Sequence, residues 1–219
     1  MGWFSDAFTF LAKGGPVMIP LMACSIASLA VIIERYTRLK TASADTVDLM
    51  RDTEDLAYAG QIDKAIALCD ANPTPVAAVI AAGLKFRRGG LEQAQRAMEE
   101  QAIREVGSLQ HRLSVLDTII TIAPLLGLLG TVTGMIRAFH VISSKEGMSA
   151  PTAITGGVAE ALIATATGLA IAIVTLVAYN YLNERVKHCV EEMEIRATQM
   201  TNVLADLQER INEVKTISA

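Results

Sequence analysis

Charge, aromatic residues and cysteine are all scarce in this chain of 219 residues. Charged residues make up 19% of the sequence, against about 25% in an average soluble domain, while hydrophobic residues reach 52%. The formal net charge of −4 and the 5% of aromatic residues leave neither a basic nor a stacking surface for nucleic acid. This composition predicts a membrane protein with a soluble portion.

The three cysteines are Cys24, Cys69 and Cys189. They are odd in number and widely separated, with no CxxC pair and no histidine at metal-binding spacing. We therefore predict no disulfide, no metal site and no cofactor. Cys24 lies in an apolar run, where we expect it to pack as a small hydrophobic residue.

Motifs of enzyme chemistry are also missing from the sequence. The glycines of GLLGTVTG at 127–134 are not followed by GK[ST], which excludes a phosphate loop. No nucleophile–base pair is visible, so we predict that the chain is not an enzyme. A small-solute carrier would more often show two related repeats with broken helices, and we find no such repeats in the sequence. His111, His140 and His188 fit no proton relay.

Three long apolar stretches are typical of transmembrane helices. The first, Pro16–Ile33, has 18 uncharged residues, within the range of about 17–25 that crosses a bilayer. The second follows Asp117 and runs over 118–136. The third, Ile154–Leu182, has 29 residues with Glu160 as its only charge. This third stretch exceeds one crossing, so its helix must tilt or protrude.

The N-terminal part of the chain allows two interpretations. A signal peptide would also be apolar, but Asp6 accompanies Lys13 and no small-residue cleavage site follows, which favours an uncleaved span. Before this span we predict a short amphipathic helix on the outer surface, with an export-related leader as the alternative. That segment contains four aromatic residues: Trp3, Phe4, Phe8 and Phe10.

Lysine and arginine are distributed unevenly between the two sides of the spans. Residues 35–112 carry eleven and the tail after Leu182 carries five, whereas the other side holds Lys13, Arg137 and Lys145. The positive-inside rule therefore predicts that the N-terminus and the loop at 140–153 face outward and that the C-terminus lies in the cytoplasm. In a bacterial inner membrane, the outward side would be the periplasm. The predicted segments are an outer helix (1–14), a first span (15–34), a cytoplasmic helical loop (35–115), a second span (116–139), a periplasmic loop (140–153), a third span (154–183) and a cytoplasmic helix (184–219).

The cytoplasmic loop reads as a series of short helices. One is capped within 43–45 and ends near Gly60, a second covers Ile62–Cys69, and a third runs from about Val76 to the glycines at 89–90.

Apolar spacings of three and four then continue from residue 91 straight into the second span, and again over 186–214. We expect an all-α membrane protein with three transmembrane helices, two of them extended into long cytoplasmic helices. The apolar faces of these two cytoplasmic extensions should pack against each other or against neighbouring subunits.

Glu160 is an ionisable residue at membrane depth. A carboxylate there costs about 2.5–3.5 kcal/mol and normally faces a bundle interior or a wet cavity. It lies six residues beyond Ile154, about 9 Å into the span, and Thr131 lies eight residues from Phe139, about 12 Å from the same edge. The carboxylate and this hydroxyl therefore fall in roughly the same layer.

The residues around that layer are small, which lets helix backbones approach closely in lipid. A carboxylate, hydroxyls and closely packed helices are typical of a proton path. The alternative is a glutamate that pairs with a polar group only to dock helices. The small residues are Gly127, Gly130 and Gly134 in the second span and Ala161, Ala164, Thr165, Thr167, Gly168 and Ala172 in the third.

Two motifs carry a resemblance to a known family. APLLGLLGTVTG at 123–134 and AEALIATATGL at 159–169, in this order and with these loops, resemble the MotA/TolQ/ExbB proton-channel family. Three spans with an outward N-terminus are similar to the ExbB and TolQ branches, since MotA-type stators have four. The short N-terminus and compact loop favour the ExbB branch.

The resemblance implies a ring of identical subunits, five in related motors, around a single-span ExbD- or TolR-like partner. Such rings pass protons down the proton-motive force and do work on a TonB- or TolA-like protein. A TolQ-like or gliding motor and a non-conducting membrane scaffold stay open as alternatives. The partner's helix is expected to carry an aspartate that is the principal proton carrier.

The matching positions for the proton pathway are Thr131, Glu160 and Thr165. At 100° per residue Thr165 lies about 140° from Glu160, whereas Thr167 lies within about 20° and is a candidate by geometry. Asp117, at the cytoplasmic end of the second span, is either a proton exit group or an ordinary acid at a helix N-terminus.

Overall fold

The computed structural model describes residues 14–42, 46–143 and 151–217, and these ranges contain helices and no strand. The predicted outer helix therefore falls almost wholly outside the described residues, as do the cap within 43–45 and residues 144–150 of the predicted periplasmic loop. The described helices are α1 (Met18–Ala42), α2 (Val47–Tyr58), α3 (Ile62–Asp70), α4 (Pro75–Phe86), α5 (Leu91–Gln110), α6 (Leu113–Ser143) and α7 (Pro151–Ile217), with a 3-10 turn at Arg87–Gly89.

Three helical stretches are long and apolar enough to cross a membrane, namely Met18–Lys40, Leu91–His140 and Thr155–Arg210. This confirms the predicted fold class, a helical membrane protein with three spans, two of which belong to long helices. α7 alone has 67 residues. It continues this far because neither glycine nor proline follows Gly168 within it, so nothing in the sequence terminates the helix.

The second long stretch is interrupted between α5 and α6. Arg112 has φ of 67°, a left-handed conformation that is uncommon outside glycine. The carbonyl of Ser108, in the last turn of α5, accepts a hydrogen bond from Arg35 Nη1 at 3.2 Å instead of one from the next helical turn. Arg35 Nη2 also lies 3.3 Å from His111 Nδ1. The predicted run from residue 91 into the second span is therefore helical, but broken at this point.

The chain divides into two compact units. The span unit contains Met1–Glu34 and Arg112–Tyr181, and the linker unit contains Arg35–His111 and Leu182–Ala219. Each unit has its own buried residues, and α1 and α7 contribute to both.

In the span unit α6 and α7 pack through glycine and alanine. A Cβ added to Gly130 would lie 2.4 Å from the Cβ of Ala164, and one added to Gly168 would lie 2.5 Å from the carbonyl oxygen of Ala123. Distances this short leave no room for a larger side chain. The close packing predicted from small residues is confirmed, and in lipid such contacts hold helices together by van der Waals attraction.

α1 completes the span unit by packing on both of these helices. Leu21 is fully buried there, and Cys24 packs against the cluster as a partly buried hydrophobic residue, which is the role predicted for it. Near the opposite end of α1, Glu34 forms an ion pair with Arg112. The buried cluster comprises Val17, Met18, Leu21, Ile119, Ala123, Ala164 and Ala172.

In the linker unit, consecutive helices from α2 to α5 pack on one another. α4 begins where the Thr74 hydroxyl accepts a hydrogen bond from the backbone N–H of Ala77 at 3.3 Å, and Pro75 occupies its first turn, both typical of a helix start. The C-terminal part of α7 joins this unit, since the Arg210 guanidinium lies 5.3 Å from the ring centroid of Tyr58.

The short helices of the loop agree with the sequence prediction. α3 at Ile62–Asp70 is one residue longer than predicted. α4 at Pro75–Phe86 begins one residue before the predicted start and ends a few residues before the glycines at 89–90, and α2 ends just before Gly60. Gly60 has φ of 73°, which explains why a glycine ends this helix.

A glycine exchange on α7 should test the close helix contact. Gly168→Ala should destabilise the span unit by about 1–3 kcal/mol because the new methyl group meets the Ala123 carbonyl. Gly156→Ala is the matched control, since a Cβ there meets nothing within 4 Å and should be neutral or stabilising by up to about 1 kcal/mol. Thermal unfolding in detergent measures both variants, and equal stabilities would contradict the packing.

Cys69 supplies a second test, in the linker unit. Cys69 is 1% exposed, its thiol lies 3.6 Å from the Thr53 hydroxyl, and burial raises the pKa of Cys69. The unfolded chain therefore releases this proton at lower pH than the folded chain. The resulting stability is complete below the unfolded pKa of about 8.5 and is lost as pH rises through the folded value.

Thermal melting followed by circular dichroism at about pH 7.5 and about pH 10 should show a smaller loss in Cys69→Ala than in the parent chain. The Tyr58→Phe variant should show a smaller loss for the same reason, because burial and the Asp206 carboxylate also raise the pKa of Tyr58. An unchanged loss in Cys69→Ala would show that the thiol does not contribute.

Candidate functional site

Glu160 lies in the tenth position of α7 and forms an ion pair with α6. Its Oε1 accepts a hydrogen bond from Arg137 Nη1 at 2.7 Å, and the side chains of Glu160 and Arg137 are 22% and 47% exposed. Most of the Glu160 side chain is therefore covered by neighbouring residues, and its charge has a partner. The sequence prediction missed Arg137 as a member of the site.

The segment before α1 closes the site from a third direction. A Cβ added to Gly15 would lie 1.8 Å from Glu160 Oε1, and Gly15 has φ of 73°. Only glycine fits here, because both the backbone conformation and the neighbouring carboxylate exclude a side chain. Three elements of the span unit thus meet at one carboxylate.

The contacts between α6 and α7 fix the relative depth of the site residues. A Cβ on Gly134 would lie 2.8 Å from the Ala161 methyl group, and Gly130 faces Ala164. Thr131 therefore lies about one helical turn farther along the bundle than Glu160. This is close to the common layer expected for the two residues.

The contact between α6 and α7, which we call the seam, places the predicted residues on two different sides. Taking the packed face of α6 as 123, 127, 130, 134 and 138, Arg137 lies about 60° to one side of its centre and Thr131 about 60° to the other. On α7 the carboxylate of Glu160 lies on the Arg137 side, and Thr165 lies on the opposite side. The glutamate and these two threonines share a depth but not a flank.

α1 occupies the flank that holds the ion pair. Gly15 approaches Glu160, and a Cβ on Gly14 would lie 3.2 Å from Ile163. Leu126 and Ile171 pack against the buried cluster, and at 100° per residue both lie on the side of the ion pair. The flank with Thr131 and Thr165, which we call the open flank, therefore faces away from α1.

The three threonine hydroxyls make different hydrogen bonds. Thr165 Oγ1 donates across the seam to the carbonyl of Gly127 at 2.9 Å. Thr131 Oγ1 donates within its own helix to the Leu128 carbonyl at 2.6 Å, and Thr167 Oγ1 to the Ile163 carbonyl at 2.8 Å. Thr165 thus ties two helices together, whereas the other two are satisfied locally and keep lone pairs for an incoming donor.

Thr167 lies on the flank of Glu160, as helix geometry predicts, but seven residues farther along α7, which is about 10 Å. Asp117 is the fifth residue of α6 and is exposed. At the other end of α6 the exposed His140 lies one turn beyond Arg137.

A sequence model described as the MotA/TolQ/ExbB proton channel family matches residues 71–195, which is more than half of the chain and includes α6 and the spanning part of α7. The chain belongs to the MotA/TolQ/ExbB proton channel family. It is therefore a multi-pass membrane protein of a channel family, and that family is not one of enzymes.

Individual relatives cover most of the chain. It is 37% identical over 177 residues to an ExbB-like biopolymer transport protein of Synechocystis, covering 78% of this chain and 68% of the relative. It is 30% identical to the Tol-Pal system protein TolQ of Haemophilus influenzae, covering 86% and 87%. It is 34% identical to the biopolymer transport protein ExbB of Xanthomonas campestris, covering 77% and 72%.

Arg137 could have been found from the sequence. It is the only charged residue between Asp117 and Lys145. It lies two residues from the predicted end of its span, about 3 Å in against about 9 Å for Glu160, a difference that its long side chain can bridge. A carboxylate in hydrocarbon requires a partner, so the only opposite charge within reach was the natural choice.

Valine exchanges should separate the structural from the functional role of the threonines. Thr165→Val should lower the stability of the span unit by about 1 kcal/mol, since it removes a hydrogen bond between helices. Thr131→Val should leave stability nearly unchanged, because its bond is local. If the open flank carries protons, both variants should slow proton entry into liposomes that contain the purified complex. Normal conduction in both would remove these hydroxyls from the path.

Proposed function

We propose that this chain is an ExbB-like subunit of an inner-membrane motor driven by the proton-motive force. It conducts protons together with a single-span ExbD-like partner and thereby energises a TonB-type transport system. Its N-terminus faces the periplasm and its C-terminus the cytoplasm, as the distribution of lysine and arginine predicts.

The observation that carries this proposal is the ionisable carboxylate of Glu160 among the three spans. It is only 22% exposed and is approached by Arg137 on α6 and by Gly15 before α1. An intramembrane acid is costly and is retained chiefly where protons or ions pass. In a chain of a proton channel family, proton exchange is its most direct use.

The open flank is the side proposed to face the partner. Subunits in a ring, five by resemblance to related motors, would place α1 on the outside and this flank towards the centre. Thr131 and Thr165 would then line the path beside the partner's helix, whose aspartate is proposed as the principal proton carrier. Thr167, on the flank of Glu160, is the weaker candidate.

The free energy available is sufficient for work on a partner. One elementary charge moved through 100 mV releases about 2.3 kcal/mol. Several protons per cycle can therefore bias a conformational step, and the absence of a nucleotide-binding motif from the sequence fits a machine driven by a gradient.

A TolQ-like subunit of an envelope or gliding motor is the alternative within the family. The relatives include proteins named ExbB-like at 37% identity and TolQ at 30% and 32%, which favours the ExbB branch by a small margin. Identifying the proteins that co-purify with the chain by mass spectrometry distinguishes the two. An ExbD- and TonB-like pair supports the proposal, and a TolR- and TolA-like pair supports the alternative.

A non-conducting scaffold is the second candidate, and the ion pair itself favours it. A guanidinium and a carboxylate 2.7 Å apart on neighbouring helices would dock α6 on α7 without any proton movement. The two functions differ in what they require of Glu160. Docking needs only an acceptor for Arg137, whereas conduction needs a group that takes up and releases a proton.

Glu160→Gln tests this difference. The amide oxygen still accepts a hydrogen bond from Arg137, so assembly should persist, but the amide cannot exchange a proton. We expect proton entry into liposomes and energised transport in cells to fall to background. Glu184→Gln, at an exposed glutamate farther along α7, is the matched control and should behave like the parent chain. Normal conduction by a well-assembled Glu160→Gln complex would refute the proposed function.

A further inference from the structure

Arg137 holds the Glu160 carboxylate in a closed ion pair, and this suggests a role beyond docking. We propose that Arg137 is a positioning residue that gates the site, so that Glu160 takes up a proton only when Arg137 has left it. This inference rests on the proposed function and adds a residue that the sequence motifs do not include.

Among the described residues, Arg137 supplies the positive charge that is paired with the carboxylate. Within the described residues, the Arg137 guanidinium approaches it from α6 and Gly15 from the segment before α1. α7 contributes no other charge between Glu160 and Tyr181, and His140 lies one turn beyond Arg137. Arg137 is therefore the counter-ion on which the Glu160 charge depends.

The proton step changes the charge of one partner only. A hydronium ion transfers its proton to a carboxylate oxygen of Glu160, which gives a neutral carboxyl group and water, while the guanidinium keeps its own protons. If the pair stayed closed, this step would leave Arg137 as an uncompensated cation among the spans, which is unfavourable. Protonation and pair opening therefore favour each other.

The Arg137 side chain can take up another position when the pair opens. Its side chain is 47% exposed, and it lies six residues before the end of α6 at Ser143. A long arginine side chain near a helix end can extend to the headgroup layer, where water and phosphate oxygens accept its hydrogen bonds. Glu160 has no such freedom, because Gly15 and α6 enclose it.

A gate and a static dock make opposite predictions for the loss of the guanidinium. If Arg137 only docks helices, its removal weakens assembly and slows conduction. If it gates the site, its removal frees Glu160 permanently, so protons enter faster while coupling to work is lost. Lysine at this position keeps the positive charge and should restore the gate.

The experiment uses the full chain, purified together with its co-purifying partners and reconstituted into liposomes of phosphatidylethanolamine and phosphatidylglycerol with a pH-sensitive dye inside. A potassium diffusion potential drives proton entry. We expect Arg137→Gln to raise the initial rate of proton entry roughly tenfold. This factor corresponds to a change of about 1.4 kcal/mol in the equilibrium between the paired and the free carboxylate. Arg137→Lys should stay near the parent rate. Arg112→Gln, at an arginine just before α6 that pairs with Glu34, should also leave the rate unchanged.

The remaining variants make the outcome decisive. Arg137→Gln combined with Glu160→Gln should conduct no better than Glu160→Gln alone, because the gate acts through the carboxylate. If Arg137→Gln fails to assemble, Glu160→Asp takes its place, since it withdraws the carboxylate from the guanidinium by one methylene group and should likewise raise the rate.

The gate and the proposed function fail in different ways. An assembled Arg137→Gln complex that conducts at the parent rate or more slowly, while Glu160→Gln abolishes conduction, overturns the gate alone. Normal conduction by Glu160→Gln overturns the proposed function, whatever the arginine variants do. A double variant that leaks as fast as Arg137→Gln also overturns the gate, since the leak would then bypass Glu160.

Discussion

The close approach of α6 and α7 is the constraint on which the span unit depends. Glycine and alanine along the seam, such as Gly130 against Ala164, allow the two backbones to come near enough for a hydrogen bond from Thr165 to the Gly127 carbonyl. The same register places Arg137 beside Glu160. A larger side chain in the seam would shift both contacts together, so packing and site chemistry are coupled.

The seam also explains why the polar residues divide into two groups. The ion pair lies on the flank that α1 covers, and Thr131 and Thr165 lie on the open flank. A subunit built this way can hold one charge in a fixed, partly enclosed position and present hydroxyls to another helix. Such a division would suit the proposed channel, whose path is shared between a ring and a separate partner, because among the described residues each flank carries only part of the polar groups of the site.

Much of this was predictable from local sequence. Helix bounds in the linker unit followed from apolar periodicity with glycine and proline punctuation, and the length of α7 followed from the lack of either residue beyond Gly168. The interruption at Arg112 was not predictable, since the apolar pattern continues through it. The left-handed conformation of Arg112 accompanies two contacts between residues far apart in the sequence, Arg35 with the Ser108 carbonyl and Arg112 with Glu34.

By itself the sequence determined the three spans, the family motifs and an acid at membrane depth, because hydrophobic length and residue type are local properties. Only the tertiary structure decided that Glu160 lies against Gly15, and that Thr131 and Thr165 lie on the flank opposite the Glu160–Arg137 pair. Depth can be counted along one helix at 1.5 Å per residue. The side on which a residue lies depends on how two helices rotate against each other, and the packing of their small residues sets that rotation.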